Sequence, residues 1–91
     1  MLTLVVYDIA DNRRRTKLAK LLEGYGRRVQ ESVFECFLSL EEMKGLHEKV
    51  MRRIQADEDN VRFYWIPPGA VAKSLAIGSE PPAPPQQAYF L

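Results

Sequence analysis

Apolar positions change their period along this chain, and the changes mark its elements. In Leu2–Tyr7 the only polar side chain is Thr3; Leu2, Leu4, Val5 and Val6 are aliphatic, and Ile9 extends the run. Both faces of such a stretch are apolar, which predicts a central strand covered on either side. The period then lengthens. Leu18, Leu21, Leu22 and Tyr25 fall at i, i+3, i+4 and i+7, the stripe of a helix that Asp11 or Asn12 can cap and that Gly24 and Gly26 stop. Residues 27–38 read as extended, with Val33, Phe34, Cys36, Phe37 and Leu38 in their second half. The polar interruption Gln30–Glu31–Ser32 makes this either a bent strand or a tight hairpin. Ser39 and Glu42 form an S-x-x-E capping box, and Met43, Leu46, Val50 and Ile54 continue a second helix at steps of three and four. The acidic run Asp57–Glu58–Asp59 predicts a solvated turn. Val61–Ile66 predicts a strand closed by Pro67–Pro68–Gly69, whose prolines cannot continue a ladder, and Lys73–Gly78 a last short strand.

This order is that of an α+β, ferredoxin-like βαββαβ sandwich with an extra C-terminal strand. One domain is expected over residues 1–78, followed by a Pro-rich tail, residues 79–91, with Tyr89–Phe90 near its tip. Two helices cover one face of such a sheet. The apolar opposite face predicts a homodimer, sheet against sheet, which suits a chain of 91 residues with a modest core.

Charge changes this picture more than composition does. The net +1 conceals +4 over residues 1–30, −4 over residues 31–59 and +1 over the remainder. A basic first third points to an anionic partner. The single cysteine, Cys36, sits in the apolar FECFL setting of a structural residue, and the single histidine, His47, has no companions at zinc-ligand spacing. No basic, apolar leader and no apolar run near the ~20 residues of a membrane span are visible, so a cytoplasmic protein without membrane contact is expected.

Candidate chemistry gathers at the end of the first strand. Asp8 follows the apolar run, and Arg13, Arg14 and Arg15 follow it within two turns. A carboxylate there must be solvated or partnered. It marks either a metal or phosphate site, or a turn in which Asp8 and Asp11 shape the backbone and cap the helix. Arg13, Arg14, Arg15, Lys17, Arg27 and Arg28 provide charge for phosphate contacts with little sequence preference.

The run Val6–Tyr7–Asp8–Ile9, the Arg/Lys helix after it, Gly26, and then Val29–Gln30–x–Ser32–Val33–Phe34–Glu35 resemble the small CRISPR-associated adaptation proteins of the Cas-two family, over about residues 1–78. The resemblance implies a homodimer whose last strand crosses to the partner's sheet. It implies metal-dependent phosphodiesterase activity, on single-stranded RNA in some members and double-stranded DNA in others, and a partnership with the Cas-one integrase in spacer acquisition. Asp8 matches the family's metal-linked aspartate, and Tyr7, Arg15, Arg28 and Phe34 match positions around its site. Lys17 stands where some members have Arg. Mg²⁺ suits such a site, because it accepts one or two carboxylates and completes its shell with water and substrate phosphate. In this scheme Asp8, Arg15 and Arg28 act in catalysis, with Asp8 on the metal, and Tyr7, Arg13, Arg14, Lys17 and Phe34 contact substrate. The competing expectation is a non-catalytic dimeric scaffold that holds DNA for the integrase. A toxin-type ribonuclease or a small-molecule sensor of the same fold ranks last, since no Gly-rich effector loop is present.

Overall fold

The protein was analysed as a computed structural model that describes residues 1–84; the aromatic tip at Tyr89–Phe90 lies outside the described residues. Seven elements follow in order: β1 (Leu2–Asp8), α1 (Asn12–Glu23), β2 (Arg27–Gln30), β3 (Val33–Phe37), α2 (Leu40–Met51), β4 (Asn60–Ile66) and the short α3 (Pro68–Ala72). The strands form one sheet in the order β2-β3-β1-β4, with every neighbouring pair antiparallel. This is the ferredoxin-like arrangement. The interruption at residues 31–32 is the turn of a hairpin, and the apolar first strand is central.

Register assigns the faces. Val5 lies opposite Phe34 and Phe63, and Thr3 opposite Cys36 and Trp65, so these residues share one face with Tyr7 and Val61. Against it pack Leu18, Ala19 and Leu22 of α1 and Leu46 and Val50 of α2, forming a core with Val5, Tyr7, Ile9, Phe34 and Cys36. The two long helices start where their caps predict. Asp11 accepts from the Arg14 backbone N–H at 2.9 Å, and Ser39 and Glu42 exchange both bonds of the capping box. The other sheet face carries Leu4, Val6, Val33, Phe37 and Ile66, all half-buried, with Tyr64 exposed. No helix of the described residues is long and apolar enough to cross a membrane.

Two expectations need correction, and one element is added. Lys73–Gly78 forms no strand; it joins no ladder of the sheet, and Leu75 and Ile77 are 95% and 101% exposed. Pro67–Pro68–Gly69 does close β4, as expected, and it also starts α3, because Pro68 at the first helical position lacks only an N–H that would have no helical partner there. Asp59 is not solvated: its side chain is fully buried and paired with Arg14, 45 residues away.

Candidate functional site

The C-terminal end of β1 opens into a cleft of about 540 Å³ lined by Tyr7, Asp8, Ile9, Arg15, Arg28, Glu31 and Ser32. Strand alternation builds it. Tyr7 points to the helix face and is 3% exposed, while Asp8, next along, reaches solvent at the mouth. Arg15 comes from the first turn of α1. Arg28 comes from β2, where the ladder shifts between Arg28 and Gln30; such a bulge re-aims the side chain beside it.

Tyr7 anchors one wall. Its hydroxyl donates to the Glu31 carbonyl at 3.0 Å and accepts from Arg28 Nη2 at 3.4 Å. Arg28 also donates to the Glu31 carbonyl from Nη2 at 2.7 Å and Nε at 3.1 Å, and its guanidinium stands 5.7 Å from the centre of the Phe34 ring. On the opposite wall, Arg15 donates from Nη1 to the Ile9 carbonyl at 2.8 Å and from Nη2 to Asn12 Oδ1. Every one of these acceptors is neutral. Among the described residues neither Arg15 nor Arg28 forms an ion pair, whereas Arg14 and Arg27 do. Two oriented guanidinium groups outside any such ion pair, in a cleft that also holds the acids Asp8 and Glu31, make a site for an anion such as phosphate.

The structure thus brings Tyr7, Asp8, Arg15 and Arg28 together and leaves four other expected residues out. Phe34 is fully buried, so it supports Tyr7 and Arg28 from beneath and offers no surface to a substrate. Arg14 turns away from the cleft to Asp59 and Glu58, which hold its guanidinium even more firmly protonated than usual, chiefly through the Asp59 hydrogen bond. Arg13 and Lys17 are exposed on α1 outside the cleft, one turn apart on the same helix face. Asn12 and the carbonyls of Ile9 and Glu31 orient the arginines without having stood out in the sequence; backbone acceptors belong to every residue and leave no signal there. Cys36 takes no part, its thiol pushed up to about 11 by burial and then by Glu35.

Among the described residues no three His, Cys, Asp or Glu side chains gather as a metal cage. Asp8 alone fits one oxygen ligand of a hydrated hard cation, with the rest of the shell left to water, substrate or a second carboxylate.

A four-stranded βαββαβ sheet with a cleft at the end of β1 that carries two arginines and a solvent-facing aspartate defines a ferredoxin-like protein suited to phosphate-bearing ligands. The sequence model of the family described as "CRISPR associated protein Cas2" matches residues 1–73, and the chain belongs to that family. A Synechocystis protein named "CRISPR-associated endoribonuclease Cas2 3" is 47% identical over 81 residues, 89% of this chain and 87% of that protein. The crystal structure of Streptococcus pyogenes Cas2 at pH 6.5 superposes with a TM-score of 0.75 at 31% identity, covering 86% of this chain and 100% of that one. A chain of a partial Cas6-RT-Cas1–Cas2 complex matches with a TM-score of 0.73 at 34% identity, over 91% of this chain and 97% of the other.

Proposed function

We propose that this protein is a metal-dependent endoribonuclease that binds the sugar-phosphate backbone of its substrate in the Tyr7–Asp8–Arg15–Arg28 cleft, and that it serves CRISPR adaptation as a homodimer beside a Cas1 integrase. The observation that carries the reading is the pair of oriented arginines that share the cleft with Asp8. Relatives named endoribonucleases support RNA as the substrate, and the Cas1–Cas2 assembly among the similar structures supports the partner.

The residues divide the work by chemistry. Arg15 and Arg28 each retain N–H donors beyond those already engaged, and these clamp non-bridging phosphate oxygens and stabilise charge that grows in the transition state. Tyr7 and the Glu31 carbonyl hold Arg28 in place before substrate arrives, so little reorganisation accompanies binding. Asp8 holds the cation, with Mg²⁺ as the proposed ion. When bound, such an ion polarises a phosphoryl oxygen and lowers the pKa of bound water. Arg13 and Lys17, on the outer face of α1, add sequence-independent attraction for more distant phosphates.

A second reading is favoured by the lone carboxylate: the protein holds duplex DNA as a scaffold while the integrase performs the chemistry. One substitution separates the two. Asp8→Asn keeps the shape and removes the charge, and Asp8 is exposed, so folding is not at stake. Under the nuclease reading, Mg²⁺-dependent cleavage of single-stranded RNA by highly purified protein is lost, while dimerisation and nucleic-acid binding persist. Undiminished cleavage by the Asn variant removes Asp8 from the catalytic set. Wild-type protein that cleaves nothing, but supports integrase-dependent DNA insertion equally well with Asn at position 8, establishes the scaffold.

A further inference from the structure

Asp57, Glu58 and Asp59 are adjacent acids with different surroundings. Asp57 and Glu58 face water, whereas the Asp59 side chain is 0% exposed. A buried carboxylate is costly unless its lone pairs are filled. Here they are filled. Arg14 donates to Oδ2 from Nε at 2.8 Å and to Oδ1 from Nη2 at 3.1 Å, a two-pronged contact, and the Gln55 backbone N–H donates to Oδ2 at 2.8 Å.

These partners surround the segment that carries the cleft. Asn60, the residue after Asp59, pairs with Asp8 across the β1–β4 ladder. Arg14 is the neighbour of Arg15. The short loop between β1 and α1 is therefore held at both ends: Ile9 through its carbonyl by Arg15, and Asp11 by the Arg14 backbone N–H.

We propose that Asp59 is a positioning residue for the cleft: by gripping Arg14 at the start of α1, next to the β4 residue that pairs with Asp8, it fixes the Ile9–Asp11 loop, and so sets where Asp8 and Arg15 stand relative to each other. It also withdraws the Arg14 guanidinium from the phosphates that Arg15 and Arg28 bind. The proposal rests on the cleft being a nucleic-acid-cleaving site. Its consequence for that chemistry is a split between turnover and binding, which lost stability alone does not produce. Displacing groups that must meet a reacting phosphate by about 1 Å costs on the order of 100-fold in rate, while a released Arg14 leaves phosphate affinity unchanged or higher.

The test compares wild-type protein with Asp59→Asn at a temperature where thermal melting shows both fully folded. Amide hydrogen exchange of Ala10–Asn12, Mg²⁺-dependent cleavage of a single-stranded RNA, and binding of the same RNA in chelator are measured together. Faster exchange in the loop, a fall in kcat of about ten- to hundred-fold and RNA binding at least as tight as wild type are expected. Unchanged loop exchange overturns the proposal, as does faster exchange with full turnover. If wild-type protein cleaves no RNA, the nuclease reading fails by itself, and loop exchange alone decides whether Asp59 holds the loop. Should the Asn variant not fold, Arg14→Lys supplies the same comparison, because it keeps the charge and loses the planar fork.

Discussion

At Gly26 the chain passes so close to β3 that a side chain has nowhere to go. A β-carbon there would stand 2.2 Å from the Glu35 carbonyl oxygen, 2.6 Å from Cys36 Sγ and 2.8 Å from Cys36 Cα. Two of those three atoms are backbone in the interior of the sheet, so neither can swing aside as the end of a long side chain can. Gly26→Ala is expected to lower stability by at least the ~1–3 kcal/mol usual for overpacked interiors, seen as a lower urea midpoint. An unchanged midpoint would show that β2 can lift away from β3 at little cost. The glycine matters to function through its neighbours, since the hairpin it admits carries Arg28 to the cleft. At the same scale, Phe34 and Arg14 show how residue type and role separate. An aromatic and a cation within the family-like pattern both serve the cleft indirectly, one from the core and one through an ion pair with Asp59.

Among the elements, α2 is the one whose start is most fully specified. Ser39 accepts from the Glu42 N–H at 3.1 Å, and Glu42 Oε1 accepts from the Ser39 N–H at 2.8 Å. Ser39→Ala is expected to cost about 1 kcal/mol, measured by denaturant unfolding at neutral pH. The same box makes part of the stability acid-sensitive. Hydrogen bonds from the Ser39 backbone, and then from its side chain, hold the Glu42 carboxyl below its ordinary value. Asp59 is lowered likewise, first by the Arg14 side chain. For a lowered carboxyl the stabilisation is complete above the unfolded-state value of about 4 and disappears as pH falls through the lower native value. Glu42→Gln should therefore be less stable than wild type at neutral pH, and the gap should close progressively below about pH 4. A gap independent of pH would show that the box does not depend on the charge.

The whole molecule is unfinished on one side. Leu4, Val6, Val33, Phe37 and Ile66 line the sheet face away from the helices, and α3 and Pro81–Pro84 shelter only one end of it, where they share an apolar groove of about 460 Å³ with Met1, Leu2 and Phe37. Leu75 and Ile77, two residues apart as on one face of a strand, extend into solvent. A second copy packed on this side would cover the open face and the exposed Leu75 and Ile77. Sedimentation velocity at micromolar concentration is expected to show a single dimeric species. A stable monomer would rule out the sheet-to-sheet arrangement.

The order of elements was legible in the sequence because it depends on neighbours. The continuous apolar run Leu2–Tyr7, steps of three and four in both helices, and the Ser39–Glu42 box each act over a few residues and survive in any tertiary setting. Of the cleft, Asp8 at the end of a strand and Arg15 at the start of a helix were legible in the same way, whereas Tyr7 and Arg28 were marked as site residues only by the family resemblance. What tertiary structure decided was which charges remain available. Arg14 and Arg15 are adjacent and chemically alike, yet one is consumed by an aspartate 45 residues away and the other meets only neutral oxygens. Asp57 and Asp59 are likewise alike in sequence, and only the packing of α1 against the α2–β4 turn buries the second. Residues 73–78 carry a strand's alternation without a strand's partner. Side-chain type sets what a residue can do, but pairing and burial come from distant segments, and these determine which residues do it.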